Sequence, residues 1–358
     1  MVNPGSTGLK AAVVEDGRTV GTDEVGAGQA LDEVARVAGQ WMPLDAAAVR
    51  FVHGGPDHLA PVRLTDDVLT EIEQVTSLAP LHNPTALSAA RALSSAHPDL
   101  PLVACFDTTF HADLPAAAAT YPLPHAWNER WRLRRYGFHG LSYEWAAGRS
   151  AELLGRPLHE LRLVICHLGG GASLCAVAGG RSVDTTMGYT PLEGLAMQVR
   201  SGSIDPGLLL WLQGTAGLSV DELGEQLERH AGLAGLSGTS GDMREIVGGL
   251  DRGDRRCRAA FDVYVHRLVR ELGGMVAAAG GLDALVFTGG VGEHHPRVRA
   301  AVADRLDWLG VTLHPERNEA QQSDDRDVSV AGSAVPVLVI AAREELVAAA
   351  HASRVLSG

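Results

Sequence analysis

Two stretches of this chain repeat one pattern. PGSTGLKAAVVEDGRTV, starting at Pro4, and HLGGGASLCAVAGGRSV, starting at His167, both run from a glycine-rich turn through an apolar strand and a second turn to an Arg-Ser/Thr-Val ending. Each stands at the head of one half of the 358 residues. That placement predicts two copies of one α/β unit. Glycine in a tight turn lets backbone amides approach phosphate oxygens. Paired units that each open on such a turn therefore predict a nucleotide gripped between two domains. A full strand, LRLVIC, precedes the second copy, whereas only Met1 and Val2 precede Asn3. The first strand of the first unit is expected to be truncated.

The remainder alternates strand and helix patterns. LKAAVVEDGRTV predicts a hairpin about an Asp-Gly turn. LDEVARVAGQW, DDVLTEIEQVTSL and PTALSAARALSSAH have helical spacing, the last with proline at its start. SYEWAAGRSAELLG predicts a helix capped by Ser142 and stopped by Gly155. LPLVACFDTTF, LRLVICHLGGG, DALVFTGGVG and VPVLVIAAREELVAAA read as strands running into polar or glycine-rich ends. Residues 242–280 read as mostly helical, and NEAQQSDDRDVS as a surface loop. The fold class expected is α/β, with mixed sheets flanked by helices.

A net charge of −13 argues against a nucleic-acid binder or a polybasic membrane protein. The four cysteines, Cys105, Cys166, Cys175 and Cys257, form no C-x-x-C pair, so a reducing cytoplasm is expected and a zinc site or disulfide framework is not. There is no basic start followed by an apolar stretch, and no apolar run of membrane-spanning length. Among 30 basic residues Lys10 is the one lysine. A compact ammonium on a flexible stem does what a planar guanidinium cannot, so Lys10 is a candidate functional residue.

Chemistry-bearing clusters punctuate the strand ends: NPGSTGLK, RFVHGG, APLHNP, FDTTFH, RRYGFHG, HLGGGAS, DTTMGYTPLEGLAMQVRSGSIDPG, GLSGTSGDMR, FTGGVGEH and AAREEL. Glycine beside Arg, His, Asp and Asn suits an anionic, charge-spreading transition state. NPGSTGLK is not a Walker A loop, and GGVGEH does not complete G-x-G-x-x-G. There is no G-x-S-x-G elbow and no H-E-x-x-H.

In this order, these clusters resemble the acetate kinase family, short-chain acyl phosphotransferases of the actin-like and sugar-kinase superfamily. The resemblance runs from Asn3 to the Glu344 region. It implies a duplicated actin-like (ribonuclease H-like) ATPase fold of two domains around a central cleft, 1–111 plus 345–358 and 112–344. It also implies ATP, Mg²⁺ (with Mn²⁺ as a substitute), a small carboxylic acid and a homodimer, with no nucleic-acid or membrane partner.

The resemblance carries roles onto residues. Arg50 and Arg200 match arginines at the reacting phosphoryl group, where guanidinium forks neutralise spreading charge. His139 matches a transition-state histidine, and His82 and His167 lie in matching motifs. Asp107 matches a residue assigned as a proton donor or acceptor. A carboxylic acid is already ionised near pH 7, so orienting an arginine or placing the metal suits Asp107 better. Asn3 and Glu344 match Mg²⁺-associated positions, with Glu345 adjacent. Lys10 and Ser6 match ATP contacts. So do His167, Leu168, Gly169, Gly170 and Gly171, then Asp242, Met243 and Arg244, then Gly290, Val291, Gly292, Glu293 and His294. Val52, Leu81, Phe138 and Pro191 match a small acyl pocket, which makes acetate the expected acid.

The chain departs from the family pattern at Gly8, Gly170 and His294, where the usual residues are serine, asparagine and asparagine. The alternatives are a propionate or butyrate kinase, or a nucleotide-binding protein of the same superfamily with weakened catalysis.

Overall fold

The computed structural model describes residues 1–5, 8–26, 32–320 and 324–358. Among them the strands form two six-stranded sheets. The first holds β1 (Val2–Gly5), β2 (Gly8–Glu15), β3 (Arg18–Gly26), β4 (Ala47–Phe51), β5 (Val62–Arg63) and β6 (Leu102–Phe106), in the order β3-β2-β1-β4-β6-β5. The second holds β7 (Arg162–Leu168), β8 (Ala172–Ala178), β9 (Arg181–Thr185), β10 (Ala284–Thr288), β11 (Arg326–Asp327) and β12 (Val337–Val339), in the order β9-β8-β7-β10-β12-β11.

The two orders are one order. In each sheet an antiparallel three-strand meander leads into two parallel strands, and a short antiparallel strand closes the edge. The hairpins agree in detail. Asp16 and Gly17 turn with φ of 48° and 72°, and Gly179 and Gly180 with 62° and 81°, the left-handed pair that a two-residue hairpin turn needs. Register slips between Val13 and Val14 in one and between Ala176 and Val177 in the other, at the same place before the turn. The duplication seen in two short stretches is thus a duplication of topology. β1 meets β4 only through Val2 and Val49, where β7 meets β10 from Leu163 to His167.

Among the helices are α1 (Asp32–Gln40), α2 (Asp66–Gln74), α3 (Asn83–Ala96), α4 (Gly140–Leu154), α5 (Pro206–Gly214), α6 (Met243–Asp251), α7 (Arg255–Ala279), α8 (Gly289–His294) and α9 (Glu344–Ser357), with further helices, such as Val220–Arg229 and Pro296–Ala303, between them. Val49, Phe51, Ala104 and Phe106 face α2 and α3 in one core. Ala48, Val103 and Cys105, on the other face, meet Val347, Ala348 and Ala352 of α9 and Leu141 of α4. In the second sheet Val164, Cys166 and Phe287 face α6 and α7. Leu163, Ile165 and Val286 face Tyr143, Ala146 and Ala147 of α4. Alternate residues of each central strand thus enter opposite cores, as a sheet covered on both faces requires. All four cysteines are buried and free. No helix among the described residues is long and apolar enough to cross a membrane.

One capping expectation is corrected. Ser142 does not cap α4, which begins at Gly140 with His139 at the cap position, φ 62°. The reason is a long-range contact. Gly140 N–H donates to the Asp107 carbonyl at 2.8 Å, and a Cβ on Gly140 would stand 2.3 Å from that oxygen. Only glycine lets the helix start abut the end of β6. Gly155 does stop the helix, at φ 60°. Gly140→Ala is expected to cost about 2 kcal/mol of stability and to lower kcat by parting Asp107 from His139; thermal unfolding and steady-state rates check both.

Candidate active site

The parallel strands deliver polar residues at their C-terminal ends, where α/β sheets place ligands. Arg50 is the penultimate residue of β4, Asp107 follows β6 and His167 is penultimate in β7. Arg50 Nε and Nη2 donate to the two Asp107 carboxylate oxygens at 2.7 and 2.6 Å. Its Nη1 reaches Asn3 Oδ1 at 2.9 Å and Glu344 Oε2 at 2.9 Å. Asn3 Nδ2 closes the ring by donating to Glu344 Oε2 at 3.1 Å. Residues from the two ends of the sequence therefore meet around one guanidinium. Burial drives the Asp107 carboxyl up, and the Arg50 fork acts against it; two short parallel bonds hold the pair in its ionised form. Glu345 points elsewhere, accepting from Thr19 Oγ1 at 2.9 Å.

Two carboxylates against one guanidinium leave this cluster a surplus negative charge. Asn3 and Glu344 supply neutral and anionic oxygen, the hard donors that Mg²⁺ takes. The residues present fit such an ion.

Opposite stand the histidines and Arg200. The rings of His139 and His167 stack at 4.1 Å and 18°. Ser173 Oγ lies 2.8 Å from His139 Nδ1, and Ser142 Oγ 2.8 Å from His167 Nδ1. The point where a Cβ on Gly171 would stand is 3.4 Å from His139 Nε2 and 3.6 Å from Arg200 Nη1, so ring and guanidinium converge on that loop. Arg200 touches the Pro191 carbonyl at 3.4 Å and Met197 Sδ at 3.8 Å. Among the described residues no carboxylate pairs with it, and burial pulls it below its ordinary value. Burial holds His82 at about 4, with Arg200 and Arg50 pushing the same way. Burial likewise holds His167 at about 4 and His139 well below its usual value.

Those shifts predict the acid behaviour of the fold. His53, His82, His111 and His167 fall from 6.5 to about 4 on folding, so the unfolded chain takes up protons first. Stability is complete above pH 6.5 and is lost as pH falls toward 4, at about 1.4 kcal/mol per pH unit for each histidine. Thermal unfolding across that range should show Tm dropping steeply.

Val52 and Phe138 share a core cluster beside this group. Leu81 and Pro191 are half-buried. The loop carrying Pro191 is tied down by Glu193, which accepts from Arg135 Nη2 at 2.8 Å and Tyr121 Oη at 2.5 Å.

The segments expected to bind ATP come together as well. A cavity of about 290 Å³ is lined by Gly169 and Gly170, by Asp242, Met243 and Arg244, and by Gly290, Val291 and His294. These come from all three segments expected to bind ATP. Gln198, Leu233, Gly241, Tyr264 and His295 also line it. Of these, Gln198 and Gly241 sit inside clusters visible in the sequence, while Leu233, Tyr264 and His295 carried no signal apart from ordinary helix and loop patterns. Gln198 Oε1 lies 3.2 Å from where a Cβ on Gly170 would stand, so a neighbouring amide fills space beside that glycine. Leu168 and Gly292 are buried behind the cavity, and the Glu293 carboxylate accepts from Ala342 N–H at 3.1 Å. Arg299, fully buried, was not anticipated. Its Nη1 donates to the carbonyls of Gly292 and Glu293 at 2.7 and 2.9 Å, and its other nitrogens to Asn318. It braces the cavity wall from behind.

Lys10 is exposed and pairs with Glu24 at 3.0 Å. It stands in register with Asn3 across β1 and β2. Ser6 lies outside the described residues.

The family model described as the acetokinase family matches residues 2–350. The chain is 48% identical over 333 residues to the acetate kinase of Synechococcus sp. (strain JA-2-3B'a(2-13)), spanning 93% of this chain and 80% of that one. It is 52% identical over 304 residues to the acetate kinase of Leifsonia xyli subsp. xyli, spanning 85% and 76%. The crystal structure of Porphyromonas gingivalis acetate kinase superposes with a TM-score of 0.88 at 31% identity, covering 99% of this chain and 98% of that one. A propionate kinase from Francisella tularensis superposes at 0.89 with 30% identity, covering 98% and 97%. The family match spans nearly all of the duplicated two-sheet fold, and the chain belongs to the acetokinase family.

Proposed function

We propose that the chain transfers the γ-phosphoryl of ATP reversibly and in line to acetate, giving acetyl phosphate and ADP. One observation carries this reading. Gly169 and Gly170 line the cavity of about 290 Å³, while a Cβ on Gly171, next in the same loop, would stand against His139 Nε2 and Arg200 Nη1. A nucleotide in the cavity therefore has its phosphate end directed at the cationic group.

The residues divide the work. The cavity holds ATP. Arg200, in no ion pair among the described residues, offers its charge to the phosphoryl oxygens, and Arg50 is aimed by Asp107. Such forks supply most of what a loose phosphoryl-transfer transition state needs. Acetate arrives ionised and needs no base, so Asp107 serves to orient. Asn3 and Glu344 would hold Mg²⁺, which when bound neutralises phosphate charge. Lys10, in a weak exposed ion pair, is free to swing from Glu24 to the phosphates. The parts 1–111 with 345–358 and 112–344 close on the cleft and exclude water.

Val52, Leu81, Phe138 and Pro191 give the acyl group an apolar seat. One methylene is worth only about 1–3 kcal/mol there, so propionate is the second acid. α5 exposes Leu208, Leu210 and Trp211, at 44%, 71% and 55%. An apolar surface of that kind supports a homodimer. The setting proposed is the cytoplasm, with small molecules rather than nucleic acid or membrane as partners.

The test is ADP formation from Mg-ATP with acetate, propionate, butyrate or no acid, with hydroxylamine to trap acyl phosphate. Acetate-dependent ADP with matching hydroxamate is expected, propionate following. Turnover indifferent to acid would make the chain a hydrolase. Bound ATP with no turnover would leave only a nucleotide-binding protein.

A further inference from the structure

The two stacked histidines are held by a crossed pair of serines. His139 and Ser142 come from the start of α4, while His167 and Ser173 face each other across β7 and β8. Each element's serine meets Nδ1 of the other element's histidine. Behind Ser173 lies a third group: Tyr143 Oη stands 2.5 Å from the same Ser173 Oγ. Tyr143 and Ser173 are completely buried.

Acidity sets the direction of this chain of bonds. A phenol, with an ordinary pKa of about 10, donates far more readily than an aliphatic hydroxyl. Burial pushes the Tyr143 hydroxyl well above its usual value, so it keeps its proton. Tyr143 therefore donates to Ser173. Ser173 has one proton of its own. Were His139 also to donate to Ser173, that proton would be buried with no acceptor among the described residues, a costly arrangement. The Ser173 proton goes to His139 Nδ1 instead. A neutral imidazole that accepts at Nδ1 carries its hydrogen on Nε2, the nitrogen turned toward Gly171 and Arg200.

We propose that Ser173 and Tyr143 are positioning residues that fix His139 as its neutral Nε2–H tautomer, so that it meets the transferring phosphoryl group as an uncharged hydrogen-bond donor beside the two arginines. The use of this donor rests on the phosphotransferase reading; the tautomer itself does not. A neutral donor suits the place, because a charged ring stacked 4.1 Å from His167 would crowd cations that Arg50 and Arg200 already supply.

The experiment is ¹⁵N NMR of histidine-labelled, ligand-free protein, with the His139 signals assigned by their loss in His139→Gln. Wild type should show Nδ1 unprotonated and Nε2 protonated between pH 6 and 8. Nδ1–H in wild type would overturn the proposal. Tyr143→Phe removes a hydroxyl that never touches the ring. It leaves Ser173 free to accept, so both tautomers should appear and kcat should fall on the order of fivefold, with KM for ATP and acid nearly unchanged. An unaltered tautomer in Tyr143→Phe would remove Tyr143 from the role. Ser173→Ala should mix the tautomers likewise; if it fails to fold, Tyr143→Phe still decides. A wild type that shows Nε2–H yet does not phosphorylate acetate would sink the functional reading alone.

Discussion

Arg200→Ala is expected to lower kcat about a thousandfold, the scale of losing an arginine that meets the transferring phosphoryl group, while leaving the fold intact or firmer. Arg200 is an unusual arginine. It is largely buried, yet its contacts are a carbonyl and a thioether rather than a carboxylate. A cation withdrawn from water without a paired carboxylate costs stability, and relief of that cost offsets the contacts its removal loses. Loss of activity with unchanged Tm therefore separates a charge kept for substrate from one kept for structure. A kcat within tenfold of wild type would remove Arg200 from the reaction.

Arg50→Ala should behave differently, losing both activity and stability. Arg50 sits between Asp107 and Glu344, whose side chains are only 2% and 13% exposed. Without it the two carboxylates face each other, and breaking a buried pair in this way costs about 3–5 kcal/mol. The pH dependence follows. Burial already pushes the Asp107 carboxyl up, and losing the fork drives it higher. A carboxyl held above its unfolded value binds its proton more tightly when folded. That contribution is complete below about pH 4 and is lost as pH rises through the folded value. The gap in stability between wild type and Arg50→Ala should thus be smaller near pH 5 than at pH 8. Arg50→Lys should recover little, because one ammonium cannot make the two parallel bonds to Asp107. Equal Tm for Arg50→Ala and Arg200→Ala at pH 8 would contradict this division.

Much of the arrangement was legible in the residues because it is local. Two hairpins with Asp16-Gly17 and Gly179-Gly180 turns announce the duplicated sheet order. Apolar strands ending on Arg50, Asp107 and His167 announce where chemistry gathers. The glycine loops that line the cavity were readable for the same reason, since a phosphate-sized turn is a property of a few consecutive residues. What was not legible depends on contacts between distant segments. Ser142 reads as a helix cap until the end of β6 is seen to claim Gly140. Tyr143 lies within the helical stretch SYEWAAGRSAELLG, and nothing in its neighbours says that its hydroxyl meets Ser173. Arg299 lies in none of the clusters the sequence shows, yet it is buried against carbonyls of the cavity wall. The ring of contacts among Asn3, Arg50, Asp107 and Glu344 joins residues 341 positions apart, which no local pattern encodes.

The most direct measurement runs the reaction backward: ATP formed from acetyl phosphate and Mg-ADP, read by luminescence, in wild type and in Arg200→Ala. A control without acetyl phosphate removes ATP made from ADP alone, so the remaining ATP reports a phosphoryl group passing from the acyl phosphate to the nucleotide. Phosphotransfer in the cleft predicts rapid ATP formation by wild type and about a thousandfold less by Arg200→Ala. Wild type that binds ADP and forms no ATP would contradict it.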